Sequence, residues 1–135
     1  MPDFRRVTDD LSVAPQITIA DVAEAARQGF QTLISNRPDG EDAGQPTARE
    51  IAAAAAEAGV SFYHIPVRGG PTPEQVEATR QLLGDVETPV LAFCRSGTRS
   101  IVTWSLARAA AGDDRAELAA LGRAAGYDLS GVLGA

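Results

Sequence analysis

The chain has 135 residues and a hydrophobic fraction of 44%, enough for one domain over 1–135 to bury a core and too much for a disordered segment. A formal net charge of -6 with no basic stripe opposes nucleic-acid binding, and no apolar run nears the roughly 18 residues that cross a bilayer. One cysteine forms no internal disulfide, one histidine beside it makes a poor metal site, and no apolar stretch follows the amino-terminal residues, so a cytoplasmic chain without membrane partner, metal or cofactor is expected.

Helical and extended patterns alternate. The spacing of Ile19, Val22, Ala23, Ala26 and Phe30 predicts a helix over Thr18 to Gln28, with Thr18 and Asp21 forming a capping box and Gly29 as its stop. A short strand, Gln31 to Ser35, runs into a polar turn, Asn36 to Asp42. The second helix opens on Thr47 and Glu50, presents Ile51, Ala54, Ala55 and Ala58, and ends at Gly59; a strand over Val60 to Pro66 follows. The third helix has Thr72 as cap, Pro73 at its first position and Gln75 as reciprocal partner, with Val76, Thr79 and Leu83 on one face.

Pro89 to Phe93 is short, apolar and without alternation, the pattern of a strand buried on both faces. A helix over Ser100 to Ala111 follows, apolar around much of its circumference, with Trp104 as a core residue. A last helix covers Asp114 to Ala125 with Leu118, Leu121 and Ala125 inward. The tail offers Tyr127, Leu129, Val132 and Leu133 for docking. The whole predicts an α/β domain with a central, mostly parallel sheet flanked by helices.

Between the buried strand and its helix lies Cys94-Arg95-Ser96-Gly97-Thr98-Arg99-Ser100. Ligand sites of α/β sheets form at this carboxyl edge of the strands. Gly97 permits the tight curl that points backbone N–H groups inward as an anion-binding nest, and the helix amino terminus adds partial positive charge. Such surroundings lower a thiol pKa from about 8.5 to roughly 3.5–7.5, which makes Cys94 a candidate nucleophile. Arg99 offers a bidentate fork for an oxyanion, and Arg95, Ser96, Gly97 and Thr98 complete the anion-binding candidates. Ser100 is read either as a donor to the thiolate or as a helix cap. Packing alone gives no reason for a cysteine in a polar loop with a glycine and two arginines. A non-catalytic anion-binding module and a redox-sensing thiol are the alternatives. His64 and Arg68 lie on the neighbouring strand end and are candidate substrate contacts; structural roles are their simpler reading.

The segment Pro89 to Ser100 resembles the active loop of rhodanese-like sulfurtransferases and, more distantly, of cysteine phosphatases. Over about residues 5 to 110, including Val13-Ala14-Pro15-Gln16, Asn36-Arg37-Pro38-Asp39-Gly40-Glu41 and Tyr63-His64-Ile65-Pro66-Val67, the chain is similar to a bacterial family, DUF442, that includes the phosphatase-like domain of beta-lactamase-hydrolase-like proteins. The resemblance implies a dual-specificity-phosphatase-like three-layer α/β fold. A phosphatase loop has five residues between cysteine and arginine; four separate Cys94 from Arg99, and Ser100 takes the later place. The shorter loop resembles the rhodanese form and implies sulfur transfer through a Cys94 persulfide, with a small anion such as thiosulfate, another persulfide or a phosphate ester as substrate. Phosphatase chemistry through a phosphocysteine is the alternative. It needs a general acid, and Asp39 is the candidate, with Glu41, Asp9 and Asp10 also in question.

Overall fold

The computed structural model describes residues 2–135. Five strands, β1 (Arg5–Arg6), β2 (Leu11–Ala14), β3 (Thr32–Ser35), β4 (Ser61–His64) and β5 (Val90–Phe93), form one sheet in the order β1-β2-β5-β3-β4. The pairs β2·β5, β5·β3 and β3·β4 are parallel, and only β1 runs antiparallel, to β2. Six helices follow in chain order: α1 (Ile19–Arg27), α2 (Ala48–Ala58), α3 (Pro73–Asp85), α4 (Thr98–Ala110), α5 (Arg115–Ala124) and α6 (Ser130–Leu133).

Strand β5 is central and buried at every position, as a parallel strand with both faces covered should be. Its side chains alternate between two cores. Leu91 and Phe93 join Leu33 and meet Val22 and Ala25 of α1 and Ile51 and Ala55 of α2. Val90 and Ala92 join Val13 and Ile34 and meet Ile101 and Trp104 of α4, Leu118 and Ala119 of α5, and Leu133 of α6. Helix α3 adds Leu82 and Leu83 to this second core. The result is the three-layer, dual-specificity-phosphatase-like arrangement that the resemblance implied.

Three capping boxes form as the sequence predicts: Thr18 with Asp21, Thr47 with Glu50, and Thr72 with Gln75. Each satisfies backbone N–H groups that the first helical turn leaves over, and each stabilises by about 1 kcal/mol. Three expectations are corrected. Ile19 and Ala23 of α1 face solvent, and the buried line is Val22 and Ala25, because Ile17, ahead of the cap, already fills the core where Ile19 was placed. Helix α4 begins at Thr98, two residues before Ser100; Gly97 is its cap residue, so Ser100 caps nothing. The Val60 to Pro66 segment is extended and paired only over β4, at the sheet edge. The amino-terminal hairpin β1–β2 had no counterpart in the sequence reading. The tail docks: Leu129 and Leu133 are buried and Val132 is exposed.

Candidate active site

The four parallel strands end at one edge, and backbone hydrogen bonds knit their exits together. Asn36 N–H donates to the Phe93 carbonyl (2.8 Å), Ile65 N–H to Ser35 (2.9 Å) and Val67 N–H to Asn36 (3.0 Å). Cys94 N–H donates to Ala14 (3.4 Å), and Gln16 N–H donates to Arg95 (3.2 Å). The Cys94 loop is thereby held between the exits of β2 and β3.

Cys94 is fully buried at the base of this edge, one residue beyond β5. Gly97 has φ +92°, the left-handed region that a side chain disfavours, and this turns its N–H onto Cys94 Sγ at 3.1 Å. A Cβ on Gly97 would also collide with Tyr127 Oη. Ser96 and Thr98 bond to each other through their hydroxyls at 3.0 Å, and Thr98 N–H reaches Ser96 Oγ at 3.3 Å. Ser100 Oγ is buried in the first turn of α4 without a hydrogen-bond partner, so it does not donate to the sulfur in this state.

Arg99 lies at the positive end of α4, where a further positive charge is unfavourable unless an anion meets it. Glu41 meets it through two bonds, Arg99 Nη1 to Oε2 (2.9 Å) and Nη2 to Oε1 (2.8 Å), and Nη1 also donates to the Val67 carbonyl (2.8 Å). Behind Glu41 stands Arg37, whose side chain is only 4% exposed. Arg37 donates from Nε to Glu41 (3.0 Å), from Nη1 to Gln16 (3.1 Å) and from Nη2 to Asp42 (2.8 Å). All three of its nitrogens are satisfied, as a buried guanidinium requires. Hydrogen bonding from Arg99, and then from Arg37, outweighs desolvation and holds the Glu41 carboxyl down at about 2. The Arg99 guanidinium is raised in turn, chiefly by Glu41 and in small part by Cys94.

Asp39, the expected acid, is turned to α2. Its Oδ1 accepts the Ala48 N–H at 2.8 Å, at the helix start where a carboxylate is favoured. Glu41, two residues on, is the carboxylate on Arg99. His64 Nε2 lies 2.8 Å from the Arg37 carbonyl, tying the exit of β4 to that of β3. Arg68 and Arg95 are exposed on the rim. The structure thus brings Cys94, Gly97 and Arg99 together, with Glu41 behind Arg99, and leaves Asp39 out.

Three residues were missed by sequence reasoning. Arg37 carried a signal, an arginine with carboxylates four and five positions on, but a turn so polar reads as solvated. Gln16 stood in a segment that carries the family resemblance and Tyr127 in the docking tail, but neither pattern pointed to the site. Tyr127 Oη donates to the Ser96 carbonyl at 2.9 Å from 31 positions away.

Residues 3–111 match the family described as "Beta-lactamase hydrolase-like protein, phosphatase-like domain", and the chain belongs to this family. It is 36% identical over 126 residues to the beta-lactamase hydrolase-like protein of Agrobacterium fabrum, and 34% identical over 125 residues to that of Xylella fastidiosa. These alignments cover 92% and 91% of the chain but only 29% of each relative, so the chain spans less than a third of their length. A crystal structure of a putative phosphatase from Neisseria meningitidis superposes with a TM-score of 0.86 at 38% identity, covering 99% of this chain and 96% of that one. Tk-PTP in its active form shares the fold at a TM-score of 0.73 and 18% identity, covering 95% of this chain and 88% of its own. These findings show a phosphatase-like fold, and the chain carries one candidate active-site cysteine within it. No helix among the described residues is long and apolar enough to cross a membrane.

Proposed function

We propose that this member of the phosphatase-like domain family is a thiol-dependent transferase in which Cys94 accepts a sulfane sulfur from a small anionic donor such as thiosulfate. The observation that carries the reading is the absence of a suitable proton donor at the thiol among the described residues. Glu41 is the site carboxylate, and its two arginines keep it ionised down to about 2. Asp39 points to α2. A phosphate monoester needs a proton on its departing oxygen. Thiosulfate needs none. The Cys94 thiolate attacks the outer sulfur, the sulfur–sulfur bond breaks, and sulfite leaves with the electron pair. The persulfide sulfur then passes to an acceptor nucleophile, which restores the thiolate.

In this reading Gly97 N–H steadies the charge on Cys94, and Arg99, shared with Glu41, attracts the sulfonate end of the donor while Arg95 and Arg68 favour its approach from the rim. The four-residue spacing from Cys94 to Arg99 supports it as well, since a tighter loop suits one sulfur atom better than a tetrahedral phosphate. Phosphatase chemistry is the second reading. The family description and the Neisseria relative favour it, and an acidic leaving group such as an aryl oxide would reduce the need for a proton donor.

One experiment divides them. Reduced protein is incubated with thiosulfate and weighed by mass spectrometry, and cyanide is then added. The expected result is one added sulfur on Cys94, released as thiocyanate, with no gain in Cys94→Ala. An unchanged mass, together with Cys94-dependent release of phosphate from an aryl phosphate, would overturn sulfur transfer in favour of the phosphatase reading.

A further inference from the structure

The loop that holds Cys94 is tied from outside by a residue beyond the region matched by the family. Helix α5 ends in a turn with Gly126 at φ +95° and the Tyr127 N–H on the Gly122 carbonyl at 2.8 Å. Leu129 then docks against Gly122 in the core. This geometry lays the Tyr127 ring over the start of α4. The Arg5 guanidinium stands over the ring, 5.3 Å from its centroid, and Arg5 is itself held by Asp3. The hydroxyl donates to the Ser96 carbonyl.

The acceptor matters because of what it is bonded to. The Ser96 carbonyl and the Gly97 N–H belong to a single peptide group, which is planar and trans, so they point in opposite directions. Holding the oxygen outward on Tyr127 holds the hydrogen inward, on Cys94 Sγ at 3.1 Å. Without the outer bond, Gly97 has the conformational freedom to let the peptide rotate and the donor leave the sulfur. A bond to the carbonyl also polarises the peptide and strengthens its N–H as a donor. The neighbouring Arg95 carbonyl is tied in the same sense by Gln16 N–H. Burial pushes the Tyr127 hydroxyl up from its ordinary value of 10.0, so it stays protonated, and a donor, throughout the neutral range.

We infer that Tyr127 is a positioning residue that sets the Ser96–Gly97 peptide so that Gly97 N–H stabilises the Cys94 thiolate. The inference rests on Cys94 acting as a thiolate and is independent of whether sulfur or phosphate is transferred. Arg99 is held by Glu41 and the Val67 carbonyl, not by Tyr127, so a change at Tyr127 leaves its anchors in place.

Cys94 is the only cysteine in the chain, so its thiolate can be followed by ultraviolet absorbance during a pH titration, with Cys94→Ala subtracted to remove the tyrosines. Tyr127→Phe keeps the ring and deletes only the donor. The expected result is a folded variant whose thiolate titration curve is displaced upward relative to wild type by about half to one pH unit, a three- to tenfold weaker acid dissociation. A thiolate titration identical to wild type, even with a lower Tm or slower turnover, would mean a merely structural tyrosine and overturn the inference. Should the phenylalanine variant not fold, Tyr127→Leu provides the same reading. No substrate enters the titration, so a wild-type protein that takes no sulfur from thiosulfate would defeat the sulfur-transfer proposal alone.

Discussion

Helix α4 carries Arg99 in its first turn and Arg108 in its last, each paired with a carboxylate, and the two pairs are built in different ways. Arg108 meets Asp113 only five positions away, with Nε to Oδ2 at 2.8 Å and Nη2 to Oδ1 at 3.0 Å. Both side chains are more than a third exposed, and the arginine sits at the helix end where a cation is favoured. Arg99 sits at the end where a cation is disfavoured, and its partner comes from 58 positions away. Glu41 is in turn braced by a buried Arg37. The local pair finishes a helix. The distant pair gathers positive charge beside a thiol and holds it there, at the cost of bringing three loops together. The carboxylates reflect the difference: Asp113 is lowered by Arg108, while Glu41 reaches about 2 under two arginines.

Three changes would sharpen or break this contrast. The largest effect is expected from Arg99→Ala, which should lower kcat/KM for the anionic donor by about a hundredfold, as removal of one oxyanion-binding group commonly does. Steady-state kinetics across donor concentrations would check it, and an unchanged rate would leave the distant pair no functional role. Glu41→Gln should come next. It keeps the shape of the side chain but removes the charge between Arg37 and Arg99, and should cost about 1–3 kcal/mol of stability at neutral pH. Because the folded-state value of Glu41 is depressed, its contribution is complete above the ordinary 4.5 and is lost as pH falls toward about 2. Denaturant unfolding at several pH values should therefore show wild type and variant converging on acidification; parallel curves would contradict the assignment. Arg108→Ala should have the smallest effect, within about 1 kcal/mol and without change in turnover, as a solvent-screened pair predicts. A large loss of activity in that variant would erase the distinction between the two ends of α4.

Much of the fold could be read from short-range pattern. The three capping boxes lie within three residues of their partners, and β5 declares its double burial by four apolar residues in a row. The α1 face was misread because Ile19 fits the helical spacing as well as Val22 does; only the packing of Ile17 decides between them. At the site, the Cys94 loop was visible because strand, cysteine, glycine and arginine are contiguous. Its acid–base surroundings were not. Asp39 and Glu41 are two positions apart in one turn, and their separate fates follow from where α2 begins and where Arg99 reaches.

By itself, then, the sequence determined the side-chain-capped starts of α1, α2, α3 and α5, the buried central strand, and a thiol at the head of a helix beside Gly97 and Arg99. These depend on interactions within a few residues, where chain geometry leaves few choices. Tertiary structure decided that Glu41 holds Arg99, that Arg37 is buried behind it, and that Tyr127 secures the Ser96 carbonyl. Those contacts join residues remote in sequence through loops gathered at one sheet edge, and their partners are set by how the helices seat on the two faces of the sheet.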